Sequence, residues 1–297
     1  SRSSMTLLVQ TILLGVLIGG VYALFASGLT LVFGVMGIVN VAHPAFLVLA
    51  GLFTYELWSR LGIDPLLLTL VTTPVMFLLG WLVYKGLVAR VRSGPVSMSV
   101  VLTFGLAIAL EGFMGMTWKN VFRSVTPPYF NESFHVGALV VPKAQIFGCA
   151  AAVVVLVLLY LLLTRTWIGR AIRSASENPE GAHLVGIDIG TVAALTFAIG
   201  AATAGVGGSI MSILYPIFPA SQYVWISRTL GIIVLGGMGS LPGAVLGALI
   251  LGVAETLTAT YISTQWSVVV FYLVILVVLL VRPEGLMGSR VRKDVVA

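Results

Sequence analysis

The sequence is poor in charge, in cysteine and in histidine. Charged residues make up 9% of the 297 residues, against about 25% in an ordinary soluble domain, which argues against a soluble fold. The single cysteine, Cys149, excludes an intramolecular disulfide and a multi-cysteine metal site. The three histidines, His43, His135 and His183, are dispersed and show no metal-ligand spacing. We therefore expect no metal site.

Recognisable catalytic motifs are also missing. The chain has no GxxxxGK[ST] phosphate loop, no GxSxG elbow and no HExxH. The glycine-rich stretch 236–243 resembles a phosphate loop only superficially, because no Lys-Ser/Thr pair follows it. We expect the chain to be neither an ATPase nor a hydrolase and to hold no cofactor itself. An intramembrane enzyme is disfavoured, since no paired catalytic residues support it.

Long apolar runs dominate what is present. Hydrophobic residues make up 59% of the chain, the mean hydropathy is +1.11, and apolar runs of about 20 residues recur throughout. This pattern predicts an all-α polytopic membrane protein, a single permease domain over residues 1–297 with about eight to ten transmembrane or broken helices. A β-barrel is disfavoured, because barrel strands alternate apolar and polar residues.

The first apolar stretch, residues 5–40, is too long for one straight crossing of about 20 to 25 residues. Either one helix runs on past the membrane, or a helix is followed by a segment broken near Ser27 and Gly28. Residues 1–4 are interpreted as an added leader before a native start at Met5. The later spans are expected at residues 44–60, 65–90, 97–117, 146–164, 191–214, 225–235, 244–260 and 266–281.

Basic residues give the expected orientation. The formal net charge is +6, and Lys and Arg collect on cytoplasmic loops of membrane proteins, so nucleic-acid binding is the weaker interpretation. Three basic clusters are placed inside: Arg90 with Arg92; Arg165, Arg170 and Arg173; and Arg290, Arg292 and Lys293. The N-terminus lies outside if residues 5–40 cross once, and inside if they cross twice.

The second of these clusters belongs to a charged island, residues 169–189, between two apolar runs. Burying unpaired charge in lipid is costly, so the island must lie outside the membrane. Arg170, Arg173 and Ser174 follow helical spacing, with Ala171 and Ala175 on another row. Asn178 is placed to cap a second short helix that begins at Pro179. Such an amphipathic element suits docking to another protein, while an ordinary solvated loop remains the alternative.

Polar residues inside the apolar runs are candidates for a translocation pathway, because each is costly in lipid. Glu255 favours an internal role, whereas Glu111 either lines the pathway or reaches the outer interface. Arg228 is interpreted as snorkelling to the outer interface. Asn40 and His43 flank the break before Pro44 and serve either the pathway or the turn.

Three stretches resemble the permease subunits of the high-affinity branched-chain amino acid (Liv-type) ABC importers. They are VYALFASGLTLVFGVMGIVNVAHPAF (residues 21–46), the island up to Ile187, and LGGMGSLPGAVLGALILGVAE (residues 235–255) followed by RPEGLMG. The resemblance covers nearly the full length in the expected order. Pro44 departs from it, because glycine is expected after the histidine, which puts the exact substrate in doubt: urea, amides and small aromatic or dicarboxylic acids are alternatives.

The resemblance implies a subunit of the bacterial inner membrane that imports branched-chain amino acids or a related small solute by alternating access. The implied partners are a second, longer permease subunit, two cytoplasmic ATPase subunits that bind ATP and Mg, a periplasmic substrate-binding protein and membrane lipid. The loop 165–190 would couple to the ATPase through Arg170, Arg173, Ser174, Glu177, Asn178, Ala182, Gly186 and Ile187. The expected pathway residues are Asn40, His43, Glu111, Gly237 and Glu255.

A stand-alone secondary transporter or channel is the alternative function. Glu111 and Glu255 would then be ion-coupling carboxylates.

Overall fold

Helices form nearly all of the regular structure in the computed structural model, which describes residues 2–91 and 96–288. Arg92, Arg290, Arg292 and Lys293 therefore lie outside the described residues, as does Ser1. The elements in chain order are α1 (Arg2–Met36), α2 (His43–Leu61), α3 (Pro65–Val83), a π-helical turn (Tyr84–Val88), α4 (Ala89–Val91), α5 (Val96–Trp118), a 3-10 turn (Pro128–Asn131), β1 (Ser133–Val136), β2 (Leu139–Pro142), α6 (Lys143–Arg165), α7 (Trp167–Glu177), α8 (Pro179–Leu184), α9 (Ile189–Leu214), a 3-10 turn (Pro219–Ser221), α10 (Gln222–Gly236), α11 (Leu241–Tyr261) and α12 (Thr264–Val281).

Seven helical stretches in the described part of the chain are long and apolar enough to cross a membrane. Helices α2, with 19 residues, and α10, with 15 residues, pack among them. The prediction of an all-α polytopic membrane protein is confirmed. Within residues 2–91 and 96–288, the sheet is limited to the antiparallel hairpin β1–β2, which lies in the polar segment between α5 and α6.

Helix α1 is continuous, so no break occurs at Ser27 or Gly28. The Ser27 hydroxyl donates to the Leu24 carbonyl at 2.8 Å and is satisfied within the helix. Gly28 instead allows α9 to approach, since a Cβ there would lie 2.9 Å from the Gly200 carbonyl oxygen. At 35 residues, α1 is about 50 Å long and exceeds a hydrocarbon core of about 30 Å. One continuous helix corresponds to a single crossing by residues 5–40. For a single crossing, the positions of the basic clusters predict that the N-terminus lies outside.

Helix α2 begins deep inside the helical body. Gly37, with φ +63°, opens the reversal after α1, and residues 37–42 fold back along that helix. The His43 Nε2 atom then lies 3.0 Å from the carbonyl oxygen of Phe25, which is about 16 Å before the end of α1. The first turn of α2 is therefore at membrane depth rather than at the inner surface.

Small residues on α9 place that helix at the centre of the body. A Cβ on Gly208 would lie 2.7 Å from the Cβ of Ala50 in α2, so the two backbones can meet only without a side chain there. Polar contacts join α9 to α2 and to α3: the Ser209 hydroxyl lies 2.7 Å from the Thr54 hydroxyl of α2 and 3.0 Å from the Thr72 hydroxyl of α3. Helix α2 thus packs against α9 and α3 on one side and contacts α5 and α10 as well.

Candidate translocation and coupling sites

The charged island folds into α7 and α8, as predicted, and α7 has two distinct faces. Ala171, Ile172 and Ala175 are buried in a cluster with Leu31 of α1 and Leu163 of α6. The other face is exposed to solvent and carries Arg170, Arg173, Ser174 and Glu177. The apolar row therefore fixes α7 to the membrane body, and the charged row remains free for an interaction.

Local hydrogen bonds fix the shape of α8. The Asn178 side-chain oxygen accepts from the Gly181 amide at 2.9 Å, so Asn178 is the predicted cap. At the other end, Gly186 has φ +85°, and the Ile187 amide donates to the Ala182 carbonyl at 3.0 Å. This left-handed glycine termination explains why Gly186 is needed, because other residues rarely adopt that conformation.

A second helix cap lies at the C-terminal end of the island, where α9 begins. The Asp188 carboxylate accepts from the Gly190 amide at 3.0 Å and from the Thr191 hydroxyl at 2.5 Å, and so caps α9. The Thr191 hydrogen bond, helped by the backbone amides, lowers the pKa of the Asp188 carboxyl below its usual value. The residues between the two caps have little freedom to move independently.

Two large apolar side chains project from this rigid turn. Leu184 is 89% exposed and Val185 is 77% exposed, whereas Ala182 is buried and positions the turn rather than presenting a surface. Beside them is an open cavity of about 410 Å³, lined by His183, Gly186, Ile187, Asp188, Ile189 and Gly190. Exposed apolar side chains next to a charged helix face form a surface suited to a protein partner.

Asn40 and His43 are buried at the start of α2. The Asn40 side-chain oxygen accepts from the Ala42 amide at 3.1 Å and so stabilises the turn. The adjacent Val41 amide donates to the Thr103 hydroxyl of α5 at 3.2 Å. Both predicted residues therefore shape the reversal that brings Val41 beside α5, and neither side chain is exposed.

Glu255 forms an ion pair within the helical body, and Arg228 is its partner. The Arg228 Nη2 atom donates to Glu255 Oε1 at 2.6 Å, and the two side chains are 18% and 15% exposed. The interpretation of Arg228 as snorkelling to the interface is wrong, because its charge is neutralised internally by α11.

Aromatic residues surround this ion pair. The Tyr22 hydroxyl donates to Glu255 Oε2 at 3.0 Å and accepts from Arg228 Nη1 at 3.2 Å. The guanidinium also lies 5.3 Å from the centre of the Trp225 ring, within the range of a cation–π contact. Tyr22 and Trp225 are not among the residues predicted from the sequence, where their signal is a polar or amphipathic ring within an apolar run.

Glu111 has different surroundings. Its Oε2 atom accepts from Gln222 Nε2 at 2.7 Å and from the Tyr223 hydroxyl at 2.6 Å. Both donors are neutral and belong to α10. Next to this carboxylate, between α5 and α10, is a cavity of about 100 Å³ lined by Val41, Phe104, Ala107, Ile108, Gln222, Tyr223 and Ile226.

Gly237 lies apart from the other predicted pathway residues. It has φ +99° at the end of α10, and a Cβ there would lie 2.6 Å from the Cα of Gly288. The segment 285–288 is fixed to the same place, since the Leu286 amide donates to the Leu235 carbonyl at 2.8 Å. Gly237 therefore permits close packing of two backbone segments. Glu111 binds Gln222 and Tyr223, which line the same cavity as Val41, the neighbour of Asn40. Gly237 and Glu255 contact other residues.

The described residues contain no group of three or more His, Cys, Asp or Glu side chains able to hold a metal ion. The seven long apolar helices of the described residues define the class of the protein as a multi-pass membrane protein.

Comparisons with known proteins identify the family. A family model described as the permease component of the branched-chain amino acid transport system matches residues 11–279. The chain is 32% identical over 289 residues to the permease LivH of Salmonella typhimurium, named for high-affinity branched-chain amino acid transport, covering 92% of this chain and 93% of LivH. It is 29% identical to BraD of Pseudomonas aeruginosa, covering 94% and 95%, and 24% identical to the fructose import permease FrcC of Rhizobium meliloti, covering 93% and 77%.

The chain belongs to the family of branched-chain amino acid (Liv-type) ABC importer permeases. It is a multi-pass protein of the bacterial inner membrane. No solved structure matches the chain significantly. Family membership supports the importer permease and not the stand-alone secondary transporter.

Proposed function

We propose that this chain is the pore subunit through which an ATP-driven importer takes up a branched-chain amino acid. Two cytoplasmic ATPase subunits bind ATP with Mg and hydrolyse the ATP, and a periplasmic binding protein delivers the solute. A second, longer permease subunit completes the pore. The relatives named for branched-chain amino acid transport support this substrate, since the match to them covers nearly the whole chain.

The observation that carries the coupling role is the exposed apolar pair Leu184 and Val185 on a turn fixed at both ends. A loop that only links two helices would gain nothing from presenting two large apolar side chains to water. Placed in a groove of the ATPase subunit, they would bury apolar surface that stabilises the contact. Arg170, Arg173 and Glu177 of α7 would contribute charge complementarity at the rim.

Rigidity lets this contact transmit force. The buried row of α7 packs against α1 and α6. Asp188, which caps α9, connects the turn after α8 directly to the first residue of that helix. A displacement of α7 and α8 by the ATPase would therefore move the inner ends of the membrane helices as a unit. Alternating access follows if ATP binding favours one arrangement of those helices over the other.

The test replaces Leu184 and Val185 together by serine in the complete importer reconstituted in liposomes. We expect ATP-driven leucine uptake to fall at least tenfold, because loss of a buried Leu and Val costs about 1.5 to 3 kcal/mol for each side chain. The amount of folded permease should stay unchanged, since both side chains are exposed. Co-purification of the ATPase subunits measures the contact directly.

The matched control is Val136→Ser, which changes a valine on the β-hairpin that is 68% exposed, close to the 77% of Val185. This control should leave ATPase association intact. Unchanged uptake and unchanged ATPase association in the Leu184→Ser/Val185→Ser variant would refute the coupling role. Leucine uptake driven by an ion gradient, without any ATPase subunit, would favour the secondary transporter instead.

A further inference from the structure

We propose that the cavity beside Glu111 is a transient binding site for the ammonium group and the aliphatic side chain of the transported solute. The site would receive the solute from the outer side, before the pore opens inward. This inference rests on the proposed function and specifies where within the pore an amino acid is recognised.

The position of Glu111 favours an entry site. Glu111 lies seven residues before Trp118, the last residue of α5, which corresponds to about 10 Å along the helix. Gln222, its hydrogen-bond partner, is the first residue of α10, immediately after the 3-10 turn Pro219–Ser221. With the basic segments around Arg90 and Arg170 placed inside, as the sequence predicts, the carboxylate is near the outer ends of both helices, where a solute released by a periplasmic protein would arrive.

The carboxylate and the cavity form one unit. Ala107 and Ile108 are one helical turn from Glu111 on α5 and line the cavity. Gln222 and Tyr223 also line it, and they are the residues that hydrogen-bond to the Glu111 carboxylate. The Gln222 side chain is fixed by burial, with 3% exposed. A solute in the cavity would thus have an oriented carboxylate directly beside it.

Charge complementarity identifies the ligand. In the described part of the chain, no basic side chain lies within ion-pair distance of Glu111. Gln222 and Tyr223 both donate to Oε2, which leaves Oε1 able to accept from a cation. A carboxylate in a membrane helix is costly and normally has a charged partner or a pathway role. An ammonium ion carried by the solute would supply the missing charge.

The apolar residues that line the cavity indicate which group of the solute, besides the ammonium group, would bind there. The side chains Val41, Phe104, Ile108 and Ile226 are apolar and surround a space of about 100 Å³. Such a space accepts a small branched aliphatic group, with the polar residues Gln222 and Tyr223 at the side nearest Glu111. An aliphatic α-amino acid combines both features, since its ammonium group and its side chain branch from the same carbon atom.

The test measures how far a bound solute slows chemical labelling of a cysteine at position 108 in the complete importer complex. Ile108 is 48% exposed and lines the cavity, so Ile108→Cys gives a thiol there for a methanethiosulfonate reagent, followed by mass spectrometry. The half-buried native Cys149 on α6 serves as the internal reference thiol. The probes are L-leucine, 3-methylbutylamine, which lacks the carboxylate, and 4-methylpentanoate, which lacks the ammonium group.

We expect leucine and 3-methylbutylamine to slow labelling at position 108, and 4-methylpentanoate to have no effect. Adding Glu111→Gln should raise the concentration needed for half-protection about tenfold or more, because a charge-assisted contact is lost. Ala107→Leu should abolish protection by filling the cavity, whereas Ala109→Leu, an exposed neighbour that does not line the cavity, should leave protection intact.

Three results would overturn the site. Equal protection by 4-methylpentanoate would contradict the ammonium assignment, and an unreactive thiol at position 108 would mean that another subunit fills the cavity. Absence of protection while the same complex imports leucine would overturn the site and leave the proposed function intact. Conversely, protection by leucine in a complex that shows no ATP-driven uptake would support the site and refute the proposed function.

Discussion

Two carboxylates within the helical body, Glu255 and Glu111, have contrasting surroundings. Glu255 is paired with Arg228 at 2.6 Å and hydrogen-bonded to Tyr22, so that its charge is neutralised by the chain itself. Glu111 accepts hydrogen bonds from the neutral donors Gln222 and Tyr223. Both residues had the same signal in the sequence, a single acidic residue in an apolar helix.

This difference separates a structural charge from a charge that is available to a ligand. The ion pair joins α10 to α11, and Tyr22 adds α1 to the same cluster. Removing one member would leave a buried charge without its partner. At Glu111 the hydrogen bonds orient the carboxylate without neutralising it. Glu255 should therefore control stability, and Glu111 should control recognition of the solute.

The largest effect is expected for Glu255→Leu. Breaking a buried ion pair from one side costs about 3 to 5 kcal/mol, because the remaining charge is uncompensated. The free energy of unfolding in mixed micelles should fall by that amount. Adding Arg228→Met should restore much of the loss, since the double variant buries no charge. A single variant as stable as the native protein would contradict the structural role of the ion pair.

A smaller effect is expected for Tyr22→Phe. This change removes one hydrogen bond to each member of the ion pair, and hydrogen bonds to charged groups contribute about 1.5 to 3 kcal/mol each. Because Arg228 and Glu255 still pair with each other in the variant, the two losses should not add fully, and we expect a loss of stability of about 3 kcal/mol in the same unfolding measurement.

Tyr215→Phe is the matched control for Tyr22→Phe, because the Tyr215 hydroxyl has only a 3.4 Å contact with Tyr22. It should cost less than about 1 kcal/mol, the value of an ordinary hydrogen bond. Equal losses in the two variants would show that the ion pair does not depend specifically on Tyr22.

The smallest loss of stability is expected for a change at Asp188. Its carboxylate lies outside the membrane-spanning helices and can be compared with Glu255 and Glu111 within them. Asp188→Ala removes the cap of α9 and should cost about 1 kcal/mol, as is typical of capping residues. The pKa of Asp188 is lowered in the folded protein, so its stabilisation is present above the unfolded pKa and is lost as pH falls through the folded pKa. The stability difference between native protein and Asp188→Ala should therefore shrink below about pH 4, as measured by unfolding at several pH values.

Local features of the fold could be predicted from the sequence, and long-range partners could not. The Asn178 cap, the two rows of α7 and most helix positions depend on residues close together in the chain. In contrast, Glu111 and Gln222 are 111 positions apart, and Tyr22 and Glu255 are 233 positions apart. Tertiary packing decides such pairs, and helical spacing carries no signal for them.

The first helix shows the same limit. The length of residues 5–40 left a choice between one long helix and a broken one, because Ser27 and Gly28 are compatible with either. Packing against α9 decides the choice: Gly28 meets Gly200 at a distance that only a glycine allows. A small residue at a helix contact and a small residue at a helix break have the same appearance in a sequence.

The most direct measurement compares Glu111→Gln with Glu255→Gln in the same reconstituted importer. For each variant, the free energy of unfolding and the KM for leucine uptake would be determined in parallel. We predict that Glu111→Gln raises the KM about tenfold or more with a stability change below about 1 kcal/mol, whereas Glu255→Gln mainly lowers stability. A Glu111→Gln variant with a native KM, or one that loses as much stability as Glu255→Gln, would contradict the division between a structural and a recognising carboxylate.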